Sequence, residues 1–346
     1  MITYSAPYAR MRALKGNLLT RIQMESLLQA SDLQTIIAIL SQTDYNDQIQ
    51  NLTTSSQIEH GLKQNLILSY TKILNFMRGK SSRFIIDSLG RFELINTKSI
   101  IRSIIRGERI EDRSLSVFSL GKYHLLPIKE LIGAKDLKTF VELMRNTFFA
   151  NALEIGFQRY ESESNLMSLE IALDLSYYAR LHESFESLGL FDKSRAGKLM
   201  GIHFDMINIT WMLRFKENYG LSSEQIFQYL LPYGWRIQPP VFWKILGSDD
   251  ILSALRERYM RPYDKVLSSV SPVDGNLILG TEIALLRFFY EQSILALRGF
   301  PLQIASLVGF FIMKEMEIRD IMTILDGKIL NLSQERIRPH LITIKD

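Results

Sequence analysis

Asp205-Met-Ile-Asn-Ile-Thr-Trp-Met-Leu-Arg214 sets out an acid, an Asn three residues on and a charge six further, and the chain carries this template, with Asn or Asp at the second position, three times. Glu93-Leu-Ile-Asn96 leads to Arg102, and Glu317-Ile-Arg-Asp320 leads to Asp326. The acids stand at 93, 205 and 317, a constant step of 112 residues. Between them Glu170-Ile-Ala-Leu173 returns as Glu282-Ile-Ala-Leu285 at the same step. One four-residue identity is weak evidence, but two independent matches at one offset point to an internal repeat. The period exceeds the roughly 20–50 residues of solenoid units, so each copy is a small module of several elements.

Those elements read as helices. Asp32-Leu-Gln-Thr-Ile-Ile-Ala-Ile-Leu-Ser41 places Leu33, Ile36, Ile37 and Leu40 at helical spacing behind an N-cap at Asp32 or Ser31. Lys135 to Met144 repeats the pattern with Asp136, Leu137, Phe140, Val141 and Met144, and Ser248 to Leu255 again puts a cap before an apolar face. Within the anchors Ile100, Met212 and Ile324 correspond, as do Ile101, Leu213 and Leu325. Glu93 and Asn96 share a helix face, whereas Arg102 lies about 120° round from Asn96 at 100° per residue. The expected fold is all-α, with three similar multi-helix domains in pseudo-threefold arrangement at 1–125, 126–241 and 242–346.

Composition narrows the function. Hydrophobic residues make up 47% and charged residues 23% of the 346, enough to bury a sizeable core. The absence of cysteine removes disulfides, thiolate metal sites and a cysteine nucleophile, and fits a reducing compartment. The opening Met1-Ile-Thr-Tyr-Ser-Ala-Pro-Tyr-Ala-Arg10 has no apolar run of a secretory signal, so a cytoplasmic protein is expected. Phe300 to Met313 is the most apolar stretch, but Gln303 and Lys314 keep it short of the ~20 residues of a membrane span and make it a core helix. A net charge of +4 is mild, far from the dense basic charge of nucleic-acid proteins.

The remaining motifs carry little chemistry. Arg78-Gly-Lys-Ser81 ends like a phosphate loop, yet the glycine required five positions before Gly79 is Leu74. His182-Glu-Ser-Phe-Glu186 starts like a zinc motif and ends in Glu, and the other histidines, at 60, 124, 203 and 340, are scattered and read as surface or capping residues. No catalytic residue, cofactor or metal is therefore expected. The repeated carboxylates suit structure better than catalysis, which needs one asymmetric site. Glu93, Asn96, Asp205, Asn208, Glu317 and Asp320 are expected to fasten each unit internally or to its neighbour, since buried charges are normally partnered. Lys98, Arg102, Arg106, Arg109 and Arg113 recur every three or four residues and would form a basic stripe if the helix continued that far. The first four are candidates for a polar docking surface, against the alternatives of a solvated face and of a helical-repeat scaffold that binds nucleic acid or protein there.

These residues resemble the C subunit of the archaeal and bacterial V/A-type rotary ATPases, a relative of the d subunit of the eukaryotic V-ATPase. The resemblance covers essentially the whole chain and rests on Tyr4, Tyr8-Ala-Arg10-Met-Arg12, Leu40-Ser-Gln-Thr43-Asp-Tyr45 and the acid–Asn–Arg anchors, with Thr147-Phe-Phe149 echoing Thr43-Asp-Tyr45. The third unit departs from it: Arg256-Glu-Arg-Tyr259 lacks the Thr, and Asp320 and Asp326 replace Asn and Arg. Membership implies three helical domains arranged as a funnel on the cytoplasmic face of the membrane. It implies one copy per complex, seated on the membrane proteolipid ring and receiving the D and F subunits of the central stalk. Such a protein transmits torque for ATP-linked ion transport, is peripheral to the membrane and catalyses nothing.

Overall fold

A computed structural model describes residues 4–163, 165–248, 250–268 and 270–344. Met1 to Thr3 of the opening segment, Asp249 of the third cap segment and Lys345-Asp346 lie outside these. The fold is all-α: among the described residues the extended pairing is a single isolated bridge between Val273 and Asn276. The chain divides into two compact units, one of residues 1–66 with 190–346 and the other of residues 67–189, the first division falling inside the Ser55–Leu74 helix.

The larger unit is built on three long helices, Leu190–Glu217, Leu277–Arg298 and Ile304–Ile329, which pack against one another. The last is buried along Ile304 to Ile312 and again at Met316, Ile318, Ile321, Ile324 and Leu325, as its apolar sequence predicts. No helix of the described residues is long and apolar enough to cross a membrane. Ser5–Gly16, Arg21–Gln29 and Leu33–Leu40 from the chain's start lie against the Ile304–Ile329 helix. In the smaller unit Ala150–Glu163 packs along Leu166–Glu186, which also meets Gly79–Leu89 and Arg91–Ile105.

The cap segments fold alike because each begins with an aspartate whose carboxylate accepts the N–H three residues on. Asp32 takes Thr35 N at 2.8 Å, Asp136 takes Thr139 N at 2.7 Å and Asp250 takes Ser253 N at 2.9 Å. Eleven residues beyond the first two caps a threonine folds the same turn. Thr43 Oγ1 donates to Leu40 O at 2.6 Å and accepts Tyr45 N at 3.3 Å, while Thr147 Oγ1 donates to Met144 O at 2.8 Å and accepts Phe149 N at 3.3 Å. Each turn delivers a fully buried ring, Tyr45 or Phe149, thirteen residues after its aspartate.

The same count from Asp250 reaches Tyr263, which is fully buried. This corrects the sequence alignment through Arg256-Glu-Arg-Tyr259, because Tyr259 is half exposed and the ring in the repeated place belongs to Tyr263. Arg261 stands at the threonine position, so the motif is unreadable there while the cap and the ring survive.

Candidate functional site

The three repeated acids lie on the inward faces of Arg91–Ile105, Leu190–Glu217 and Ile304–Ile329, and all are buried. Asn96 clamps a residue 22 positions on from both sides: its amide nitrogen donates to Phe118 O at 2.9 Å, and its carbonyl oxygen accepts Phe118 N at 2.8 Å. Asn208 does the same to Leu231, both bonds 2.8 Å. A short side-chain amide can both give and take here, which a carboxylate cannot. Asp320, which can only accept, meets a different partner set: Ile342 N at 2.8 Å, and Thr343 N and Oγ1 at 2.7 and 2.6 Å. The Asn-to-Asp change in the third copy is thus matched by a change from a donor-plus-acceptor to donors only.

The acids grip chain further on. Glu93 accepts Leu125 N at 2.7 Å, and His124 Nδ1 lies 3.1 Å from the same oxygen. Asp205 accepts Arg236 N and Ile237 N, each at 2.9 Å, and Tyr263 donates its hydroxyl at 2.8 Å. Glu317 follows the plan with partners from the chain's start: Leu19 N at 2.6 Å and the Tyr45 hydroxyl at 2.6 Å. The first two acids hold the segment that follows them in sequence, whereas the third holds the segment near residue 19, so the last anchor fastens to the first cap module. Where Phe149 stands in place of a tyrosine, His124 is the polar ring beside the acid. It is half-buried, and the sequence alone reads it as one more surface or capping histidine because nothing local marks its partner.

Charge burial is the dominant electrostatic fact. It pushes the Asp205 carboxyl up to about 6, against the pull of the Ile237 and Arg236 N–H groups and the Tyr263 hydroxyl. It also raises Glu317, opposed by the Lys314 ammonium, and Asp320, opposed by its Thr343 and Ile342 donors. Lys314 is itself buried, 3.5 Å from the Glu317 carboxylate and 3.9 Å above the Tyr45 ring. Tyr45 and Tyr263 are raised by burial and by the carboxylate each touches. These hydroxyls therefore stay protonated and donate.

The basic positions do not form one stripe. The Arg91–Ile105 helix stops because Gly107 takes φ +67°, the left-handed conformation a side chain resists, and Glu108 N closes back on Ser103 O at 2.9 Å. Arg113 begins from another short helix, Ile110–Leu115, and is buried, donating to the carbonyls of Ala134 and Glu108 at 2.7 and 2.9 Å. Lys98 meets Asp174 at 2.6 Å, and Arg102 grips Glu170 with two bonds. Arg106 lies 2.7 Å from Glu108 and Arg109 3.1 Å from Asp112. All four docking candidates thus carry an anion, Lys98 and Arg102 from the Leu166–Glu186 helix and Arg106 and Arg109 from carboxylates interleaved with them. Among the described residues no three His, Cys, Asp or Glu side chains gather as a metal-binding group.

The chain is similar to known proteins over nearly its whole length. The C subunit of the A-type ATP synthase of Methanosarcina barkeri is 24% identical over 99% of this chain and 94% of its own length. The Methanocaldococcus jannaschii protein of the same name is 24% identical over 99% of this chain and 88% of its own. That of Pyrococcus abyssi is 25% identical over 98% and 89%. The profile of the family described as ATP synthase (C/AC39) subunit matches residues 7–340, which takes in all three anchors, and the chain belongs to that family.

Proposed function

We propose that this chain is the non-catalytic rotor component that couples the central stalk, with its D and F subunits, to the membrane proteolipid ring of an A-type rotary ATP synthase. One copy would sit on the cytoplasmic face, carrying torque as a three-unit body divided as 1–125, 126–241 and 242–346. The observation that carries the reading is the use made of the repeated polar residues. Each buried carboxylate or amide is bonded to backbone 22 to 32 residues away or, at Glu317, to the far end of the sequence. Such ties pin each anchor helix to a loop segment elsewhere in the chain, which suits a part that must stay rigid to transmit torque, and the same structural use recurs in all three copies. The relatives' name supplies the ATP synthase assembly.

The test is native purification from membranes washed at low ionic strength. Recovery of this chain with stalk and proteolipid subunits is expected. Its recovery alone from gently washed membranes, with the stalk and ring still joined, would reject the coupling role.

A further inference from the structure

The first repeated acid lacks a hydroxyl that the other two share. Tyr263 donates to Asp205 at 2.8 Å and Tyr45 to Glu317 at 2.6 Å, and with the backbone N–H groups these bonds engage both oxygens of each carboxylate. The ring that corresponds for Glu93 is Phe149, which has no hydroxyl to give. It follows the helix Leu137–Leu143, which lies on Arg91–Ile105 as Leu33–Leu40 lies on Ile304–Ile329. Both bonds that Glu93 does receive, from Leu125 N and His124 Nδ1, fall on Oε1. His124 is held from turning to the other oxygen, because Leu120 N donates to its Nε2 at 3.0 Å. Glu93 is fully buried, and its Oε2 has no hydrogen-bond partner among the described residues.

One turn along the same helix face Thr97 is also fully buried, and its hydroxyl has no partner among the described residues. The other repeats place Ile209 and Ile321 there, 112 and 224 residues on, both buried. The first repeat thus has phenylalanine and threonine where the others pair tyrosine with isoleucine. Against the third repeat, whose acid is again a glutamate, it is short of two heavy atoms, the tyrosine oxygen and the isoleucine Cδ1, and carries a hydroxyl on the helix instead. Gly90 stands where the third repeat has Lys314, so no ammonium reaches Glu93 from that position. Buried polar atoms are nearly always hydrogen-bonded, since one left bare keeps its full desolvation cost.

We propose that a single buried water bridges Glu93 Oε2 and Thr97 Oγ1, in the place that the tyrosine hydroxyl fills in the other repeats. The water donates to the carboxylate, as the tyrosine does, and its second contact is the threonine hydroxyl, which can give or accept. A buried water takes about two to four polar partners and needs room for about one probe sphere, which the two missing heavy atoms provide. A hard divalent cation takes about six or more oxygens, so these two side chains suit water and not a metal.

A crystal structure of the full chain, at a resolution that shows ordered solvent, should place one water within hydrogen-bond distance of both Glu93 Oε2 and Thr97 Oγ1. Stability supplies a second readout. Thr97→Ile takes away one of the water's partners and should lower the melting temperature by about 2–4 °C. Phe149→Tyr restores the hydroxyl, and added to Thr97→Ile it rebuilds the pair of the third repeat, so the double variant should melt at or above wild type. A threonine that merely bonds its own helix, or an isoleucine that simply overpacks the site, would cost as much in either background. A Thr97→Ile loss undiminished by Phe149→Tyr overturns the proposal, as does a wild-type structure in which Thr97 bonds Glu93 directly or no water touches both. The wild-type structure decides alone if the variants do not fold.

Discussion

Arg102 holds Glu170 through two parallel hydrogen bonds of 2.6 and 2.7 Å, and these residues are the closing charge of one sequence repeat and the opening acid of the other. Arg214 meets Glu282 at 2.6 Å across the same separation of 68 residues. The two motifs that recur every 112 residues are therefore halves of one contact between successive long helices. In the third copy Asp326 replaces the arginine and accepts from Ser55 at 3.1 Å, so the loss of charge complementarity is met by a hydroxyl. Arg102 and Arg214 are each half exposed, which places these pairs where solvent screens them. A double-mutant cycle over Arg102→Ala and Glu170→Ala should give a coupling of about 0.5–1 kcal/mol, the upper part of the range for exposed pairs because the geometry is bidentate. Denaturant titrations in low and high salt measure it. A coupling indistinguishable from zero at low salt would make the repeated pair incidental to stability.

The amide clamps should be far more sensitive. Asn208→Asp preserves size but sets a carboxylate oxygen against the Leu231 carbonyl that the amide now feeds. With the group fully buried, loss of about 2–4 kcal/mol is expected from the broken bond and the unpaired acceptors. Asp320→Asn is the mirror experiment, because an amide nitrogen would face the Ile342 or Thr343 N–H, and it should cost about 1–3 kcal/mol. Urea unfolding midpoints at constant slope would report both. Equal stability of either variant and wild type would mean that the clamp residue is interchangeable.

Asp205 makes a pH prediction of definite sign. Its carboxyl is raised from 3.8 unfolded to about 6 folded, so the native state holds the extra proton between those values. The group's contribution is fully present below about pH 4 and is lost as pH rises through about 6, a change of up to about 3 kcal/mol at 1.36 kcal/mol per unit. Other carboxylates, Asp32 and Asp136 among them, are lowered and act in the opposite sense, so the informative quantity is a difference. Stability of wild type minus Asp205→Asn, followed from pH 4 to 7, should fall with rising pH. A flat difference contradicts the raised carboxyl.

Tyr263→Phe extends the same argument. Phe149 shows that a phenylalanine fits the repeated position, so the substitution removes only the hydroxyl that donates to Asp205. That bond lowers the carboxyl, and its loss should move the titration above 6 while costing about 1–2 kcal/mol near neutral pH. Carboxyl-carbon NMR of labelled aspartate would locate the midpoint, which must rise if the hydroxyl acts as described.

The all-α class and the anchors' buried face are legible in the sequence because helical periodicity and a fixed repeat are local signals. Ile100, Met212 and Ile324 are all fully buried, and the caps at Asp32 and Asp136 form as read. The partners of the anchors are not legible, since backbone N–H groups leave no trace in side-chain identity. Leu19 lies 298 residues from Glu317 and carries nothing polar to advertise the bond. Tyr263 is within reach, through its thirteen-residue distance from Asp250, but the missing threonine draws the alignment to Tyr259. Continuation of the basic helix past Ile105 fails on one glycine, whose φ the periodicity of its arginines cannot report.

The docking candidates divide by burial. Lys98 is largely buried against Asp174, and Arg102 is committed to Glu170, so reversing either disturbs packing within the chain. Arg106 and Arg109, 63% and 78% exposed, pair with neighbours two or three residues away, contacts worth about 0–1 kcal/mol that another protein's carboxylates can replace. We predict that Arg106→Glu with Arg109→Glu leaves the melting temperature near that of wild type and weakens assembly with stalk or ring. The loss should be largest at low salt and shrink as ionic strength approaches 1 M, where screening acts within about 3 Å. Reconstitution of purified stalk and membrane subunits with the variant, over a salt series, measures it. Wild-type assembly at every salt concentration by a folded variant would leave Arg106 and Arg109 as a solvated edge and move the search for the docking face to another surface.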